Sequence, residues 1–535
     1  MMLPVNLFFW SICIVPIVLL LILMVFFHWG ASQAAPFTLA VASIFSLLFF
    51  KADLSLLIVE LLKASWNSLG IILVIVTAIL LYEIGIEANA FDALNDLFTK
   101  LAPNELIRIL MIGVVFASFL QGITGFGVPV LIVAPMLLNM GVAPLYAVMI
   151  PLLGHSWAGT FGTLALGWDA LLIQTGIVDK QLIMQIAIYA SLFLFVLTIL
   201  FSAFIVYLYG RQPALKKGFP ALLIISLIQG SGQLFLSTST PALAVVIPSV
   251  VSLFAIIGLS KTPMYRQSWK ISNSKIMLSV KEEVQEKTED EMTAVQALSP
   301  YLLVTSISLL VLLVPSIHSI LGGFKFGPSF KETQTGFGII NPAIEEYAPI
   351  APFTHVSAFL LISFFITYMY YCKKGLIKNR CFPQLLKRAV RKTLSPGIAI
   401  FSLLCLSRVM AGTGQTFVLA QGIASVLKEK YVFVSPFIGL LGSFITGSNM
   451  TSNILFGEFQ LHVSEYIGLK TSVILGAQTG GGGIGTSIAP GNIILGTTTA
   501  GILGSEGRVL IKLIPYTLIA AVIFGILVYL DYQWI

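Results

Sequence analysis

Apolar residues run along this chain in stretches of about 20, separated by short polar segments, a pattern that predicts membrane-crossing helices. Candidate spans fall near 5–28, 35–51, 69–86, 105–122, 143–166, 182–210, 219–235, 241–259, 298–316, 354–372, 394–412, 431–446, 467–490 and 508–532. The first run is too long for the apolar core of a signal peptide and has no basic segment before it, so it reads as a retained span. The stretch 53–66 carries Asp53, Glu60 and Lys63 among leucines and reads as an interfacial helix. Two apolar pieces, 125–141 and 447–460, are too short or too broken by Gly and Pro to cross. The runs are continuous, not alternating, which excludes an outer-membrane barrel. The expected fold is an all-α polytopic membrane protein of about 12–14 transmembrane helices.

An internal repeat sharpens this picture. Ile123-Thr124-Gly125 recurs as Ile445-Thr446-Gly447, and Ser118-Phe119 as Ser443-Phe444. About 40 residues beyond each, Gly159-Thr160-Phe161-Gly162-Thr163 matches Gly482-Gly483-Ile484-Gly485-Thr486. Each unit reads as a helix, a polar glycine-rich break forming a re-entrant hairpin, and then a broken helix. The organisation predicted is 1–66, N-terminal helices; 67–210, first repeat with its hairpin near 122–141; 211–393, linking helices and cytoplasmic loops; 394–535, second repeat with its hairpin near 446–460. Eight candidate crossings lie between corresponding points of the repeats. An even number makes them parallel, whereas hairpins entering from opposite faces need an odd one.

Composition excludes the soluble classes. Of 535 residues, 57% are hydrophobic and 10% charged, too few charges to clothe several soluble domains. The net charge of +7 does not point to nucleic acid, because the basic residues sit between spans. The segments 211–217, from Lys261 onward, and 373–392 (including Arg380) are cytoplasmic by the positive-inside rule. The second of these turns acidic in KEEVQEKTEDE. The four cysteines, Cys13, Cys372, Cys381 and Cys405, show no metal or disulfide spacing.

The polar breaks carry the candidate chemistry. Thr446-Gly447-Ser448-Asn449-Met450-Thr451-Ser452-Asn453 places hydroxyls and amides inside an apolar region, and Gln478-Thr479, Thr486 and Ser487 follow on either side of a glycine run. Hydroxyls and amides bind a carboxylate or a cation, and helix N-termini beside such breaks favour anions. The competing reading is close helix packing through small residues. The first repeat contributes Thr124, Gly125, Ser156 and His155, the last either a proton carrier or a structural histidine. Glu83 and Arg408 sit inside spans at matching repeat positions. They are candidates for proton coupling and carboxylate binding respectively, or else an ion pair with each other. Asp169 and Glu458 are weaker candidates near an interface, and Glu506, Arg508 and Lys512 read as anchors of the last span. No hydrolase, zinc-protease or Walker motif is present, which argues against an enzyme and an ATP-driven pump and leaves an ion gradient as the energy source.

Three segments resemble the lactate permease family of secondary transporters: SFLQGITGFGVPVLIVAPMLLNMGVAPLYAV (118–148), SPFIGLLGSFITGSNMTSNILFGEFQ (435–460) and TGGGGIGTSIAP (479–490). The resemblance implies proton symport of L-lactate, D-lactate or glycolate, paired re-entrant hairpins and an elevator-like motion. Family members typically carry G-S-D-T-S-S-N where this chain has Gly447 to Asn453, so an acidic position is Asn449 here. They carry G-K-M-I-S-P-Q where it has Gly485 to Gly491, so a lysine is Thr486. GHSWAGTFGT (154–163) departs from the family's N-T-A-P-V-A-F-G. The chain thus reads as a divergent member: an ion-coupled symporter of a small monocarboxylate in the plasma membrane, with H+ as coupling ion and Na+ as alternative. It needs no other cofactor and no nucleic acid. Its partners are the carboxylate, membrane lipid and, as one arrangement, a second copy.

Overall fold

A computed structural model describes residues 3–25, 27, 29–125, 127–271, 274–278, 292–378 and 381–533. The KEEVQEKTEDE run, Arg380 and Phe126 lie outside the described residues. Among the described residues the chain is almost wholly helical, with one two-residue strand pair, Thr333–Gln334 and Ile340–Asn341. Nine helices among the described residues are long and apolar enough to cross a membrane. The larger count from sequence includes short and broken helices and splits Lys180–Ser237. That stretch folds back on itself at Gly210–Arg211, and Ser191 Oγ donates to Ser237 Oγ at 2.8 Å across the two arms.

Two segments differ from the sequence expectation. Residues 53–66 are not an interfacial helix but the start of a continuous 34-residue helix, Leu54–Glu87, whose N-terminus is capped by Asp53. It can begin with charges because Glu60 accepts from Lys63 at 2.7 Å, both buried within the bundle. The basic loop expected over 373–392 is helical from Phe382, within Phe382–Gly412. Arg388 and Lys392 there pair with acids on Leu54–Glu87, so the basic run docks instead of standing in water. The boundaries expected at 66–67 and 393–394 therefore fall inside helices.

Two helical hairpins dominate the centre. In the first, the arm Glu105–Leu110, a π-helical turn Met111–Phe116 and Ala117–Ile123 descend to a tip, and Val128–Asn139 returns. In the second, Tyr431–Thr446 descends and Asn449–Ile467 returns. Each is followed by a broken helix: Pro144–Gly154 with Gly162–Thr175, and Thr471–Thr486 with Pro490–Thr499. The order of elements from Leu54–Glu87 onward thus recurs from Phe382–Gly412 onward.

The hairpins enter from opposite faces. At the open end of the first, Tyr209 Oη donates to Glu105 at 2.5 Å. At the open end of the second, Lys470 donates to Tyr189 Oη. Tyr189 and Tyr209 lie on one helical arm, about 30 Å apart at about 1.5 Å per residue, which is the thickness of the hydrocarbon layer. With Tyr431–Thr446 as one arm of a hairpin and not a full span, an odd number of the candidate crossings lies between the two tips.

Glycine sets the closest packing here. Thr471–Thr486 is buried from Ser472 onward and lies against Tyr431–Thr446. A Cβ at Gly481 would stand 2.0 Å from the carbonyl oxygen of Pro436. Small residues let membrane helices approach this closely.

Candidate substrate site

Both hairpin tips and both helix breaks converge on one cavity of about 40 Å³. A water needs roughly 10–15 Å³ on such a measure, so the space suits about three waters or one short hydroxy acid. The tips are built by backbone that only glycine adopts freely: Gly125, Gly127 and Gly447 have φ of 61°, 79° and 82°. From the second tip, Gly447, Ser448 and Asn449 line the cavity, and Thr486 and Asn492 reach it from the second break. The first half supplies Gln121, His155 and the turn around Gly162–Thr163.

Asn449 ties the halves together. Its Nδ2 donates to Thr160 Oγ1 at 3.0 Å, to the Thr479 carbonyl at 3.0 Å and to Thr479 Oγ1 at 3.3 Å. One turn on, Asn453 Nδ2 donates to the Gly167 carbonyl and to Thr479 Oγ1, both at 2.9 Å. The Oδ1 atoms of both asparagines are buried without a hydrogen-bond partner among the described residues. Asn492 Nδ2 donates to the carbonyls of Thr486 (3.0 Å) and Gly447 (3.2 Å), fastening the second tip to the second break.

Other candidate residues hold the tips. Thr451 Oγ1 donates to Thr446 Oγ1 at 2.6 Å, Thr446 Oγ1 to the Gly442 carbonyl, and Ser452 Oγ to the Gly439 carbonyl. Gln478 Nε2 donates to the carbonyl of Ser452. Thr124, Ser156, Thr486 and Ser487 turn their hydroxyls onto backbone carbonyls three or four residues earlier. His155 Nδ1 donates to the carbonyl of Pro151. A carbonyl can only accept, so in the neutral ring Nε2 carries the lone pair.

Glu83 and Arg408 do not line the cavity and do not pair with each other. Glu83 binds Lys392 at 2.5 Å and Arg388 at 3.0 Å. Arg408 binds Glu60 through Nη2 at 2.7 Å and Nε at 2.9 Å. Leu54–Glu87 and Phe382–Gly412 lie antiparallel, with Glu60 at Arg408 and Glu83 at Lys392 and Arg388, so Glu83 and Arg408 sit at opposite ends of the helix pair and the alternative of a mutual ion pair is not realised.

Among the described residues, the cavity lining contains no Asp, Glu, Lys or Arg. Its electrostatics come from backbone. The helices Val128–Asn139 and Asn449–Ile467 both start at the cavity, and neither N-terminus is capped by a side chain. At the second, the N–H groups of Asn449, Met450 and Thr451 have no acceptor among the described residues and carry a partial positive charge, which makes an anion site; at the first, the Val128 and Val130 N–H groups are taken by the carbonyls of Gly125 and Gly127, and Pro129 has none.

Sequence reasoning missed Gln121 and the backbone of Thr163, Leu164 and Ala165. These three residues take left-handed φ values of 50°, 54° and 71°. Such residues cost about 1–2 kcal/mol each outside glycine, and strain of this kind clusters at functional sites. Nothing in the types Thr, Leu and Ala signals it.

A family model described as L-lactate permease matches residues 11–533. The chain belongs to the L-lactate permease family. It is 25% identical over 520 residues to an L-lactate permease of Halalkalibacterium halodurans, covering 97% of this chain and 94% of that one. It is 24% identical over 487 residues to the glycolate permease GlcA of Escherichia coli, covering 86% and 84%. Among solved structures, the YdaH transporter of Alcanivorax borkumensis aligns with a TM-score of 0.42 at 11% identity, covering 88% and 86%. The chain is thus a multi-pass integral membrane transporter, not an enzyme.

One consequence is testable at a single glycine. A Cβ at Gly482 would lie 1.8 Å from Asn449 Oδ1. Gly482→Ala is expected to push Asn449 off Thr160 and Thr479 and to lower substrate transport about tenfold, the worth of one buried hydrogen bond. Initial uptake rates normalised to folded protein in the membrane check this.

Proposed function

We propose that this permease carries short 2-hydroxy monocarboxylates, lactate or glycolate, across the plasma membrane together with a proton. The observation that carries this reading is the uncharged cavity at the open N-terminus of Asn449–Ile467. The substrate carboxylate lies against the free N–H groups of Asn449, Met450 and Thr451 at the second hairpin tip. Its 2-hydroxyl donates to Nε2 of His155, the acceptor that the Pro151 contact leaves available. Permeases for lactate and for glycolate among the relatives support this substrate class. Because the hairpins enter from opposite faces, opening one or the other side of the cavity gives alternating access.

A second reading, Na+ coupling, is favoured by one feature. The buried, unpartnered Oδ1 atoms of Asn449 and Asn453 are hard oxygen acceptors beside the same cavity.

Uptake of radiolabelled L-lactate and glycolate into proteoliposomes separates the readings. The expected result is uphill accumulation driven by an inward proton gradient, abolished by a protonophore and indifferent to replacing Na+ with choline. Accumulation that follows Na+ at fixed pH would replace the proton with Na+. No uptake of either acid by folded protein would overturn the substrate class.

A further inference from the structure

A second, larger pocket of about 370 Å³ lies beside the substrate cavity. Its walls are Gly162–Thr175, Leu54–Glu87 and the 348–355 segment of the loop before Val356–Lys374. Leu166 lines both spaces. One turn further along the same helix, Asp169 is exposed to the larger pocket. It forms no hydrogen bond or ion pair among the described residues. A carboxylate inside a membrane bundle is costly and is normally neutralised by a partner. Among the described residues, Glu60 holds Lys63 and Arg408, Glu83 holds Lys392 and Arg388, and Glu458 accepts from Gln174. Asn67, 6% exposed, also lines the pocket with an unpartnered Oδ1.

We propose that Asp169 is the residue that binds the coupling proton, in a vestibule that leads past Leu166 to the substrate cavity. This rests on the reading of the protein as a lactate-type permease. The geometry supplies the coupling. Ionised Asp169 sets a negative charge on the route of an anion and repels it. Protonated Asp169 is neutral and lets the carboxylate pass. The proton is taken from the vestibule side and released after the cavity has opened to the opposite face, so one proton and one monocarboxylate cross together and no bond of the substrate changes. A hard metal cation collects about six or more oxygens, whereas a proton needs one carboxylate, and no group of three or more His, Cys, Asp or Glu surrounds Asp169 among the described residues. The other titratable or charged groups on the elements around it are Glu345, Glu346, Tyr347 and His355 in the loop, Glu458, His462, Glu465 and Tyr466 on Asn449–Ile467, and Glu60, Lys63, Tyr82, Glu83 and Glu87 on Leu54–Glu87. Of these only His355 shares the pocket, and its Nδ1 is engaged by Ser357.

The test uses full-length protein in proteoliposomes and two measurements. Lactate counterflow exchanges internal for external substrate and needs no net proton movement, while accumulation under a proton gradient needs it. Asp169→Asn is expected to retain counterflow within about twofold and to lose protonophore-sensitive accumulation, with uptake no longer dependent on external pH. Asp169→Glu keeps an acid and is expected to accumulate with a displaced pH profile. An Asp169→Asn variant that accumulates as the wild type does overturns the proposal. So does a folded variant that loses counterflow as well, since that marks a substrate-binding role. If Asp169→Asn does not fold, an unchanged pH profile in Asp169→Glu overturns it. A wild-type protein that exchanges neither lactate nor glycolate overturns the substrate reading itself, a result distinct from all of these.

Discussion

Asn449→Ala is expected to reduce lactate transport by about tenfold to a hundredfold while the protein still folds. The amide donates to three acceptors on the two broken helices, Thr160 Oγ1, Thr479 Oγ1 and the Thr479 carbonyl. Leaving buried partners unsatisfied costs about 1–3 kcal/mol, and each 1.4 kcal/mol or so is a factor of about ten. The loss falls on the geometry of transport because Asn449 begins the helix whose N–H groups face the cavity. Global stability should move less, because water from the adjoining cavity can replace the lost donor. Uptake kinetics and counterflow on purified variant, with a melting curve in detergent beside them, check both halves of the statement. Unchanged transport would show that the link between tip and breaks is dispensable. Equal losses of transport and of folded protein would make Asn449 a packing residue.

Much of the centre of this molecule was legible in the sequence because a polar break inside an apolar run has few physical explanations. The Ile-Thr-Gly tips, the run from Thr446 to Asn453 and the glycines after Thr479 all announced irregular backbone, and the structure brings His155, Ser448, Asn449 and Thr486 into one cavity lining. What stayed hidden was tertiary. A charge in an apolar run looks interfacial until its partner is known, so Glu60 and Lys63 were read as a surface helix though Arg408, 348 residues on, completes a buried cluster with them. Glu83 and Arg408 looked like partners because the repeat aligned them. The partners they have, Lys392 and Glu60, are set by the packing of Leu54–Glu87 against Phe382–Gly412. The left-handed turn at Thr163–Ala165 left no trace because its residue types disfavour it.

That buried cluster yields the largest expected effect on stability. Glu60 is 0% exposed, Lys63 2% and Arg408 18%, and the single carboxylate accepts from both cations. Glu60→Gln keeps the shape and removes the charge, leaving two cations at membrane depth with no bonded acid. Breaking a buried pair in this way costs about 3–5 kcal/mol. The expected result is a large drop in the detergent melting temperature or loss of monodisperse protein. The opposite substitution discriminates charge balance from simple packing. Lys63→Met removes the surplus cation, keeps the aliphatic stem and leaves Glu60 and Arg408 as a neutral pair. Replacing a buried ion by a well-packed apolar group is often neutral or stabilising by about 1–4 kcal/mol, so Lys63→Met should melt at or above the wild-type temperature. Methionine also retains the contact that the Lys63 stem makes near the Phe330 ring. If Lys63→Met is as damaging as Glu60→Gln, the second cation is needed for its own sake. The cluster would then be a poised site for an anion, because only a bound negative charge would balance two cations against one carboxylate.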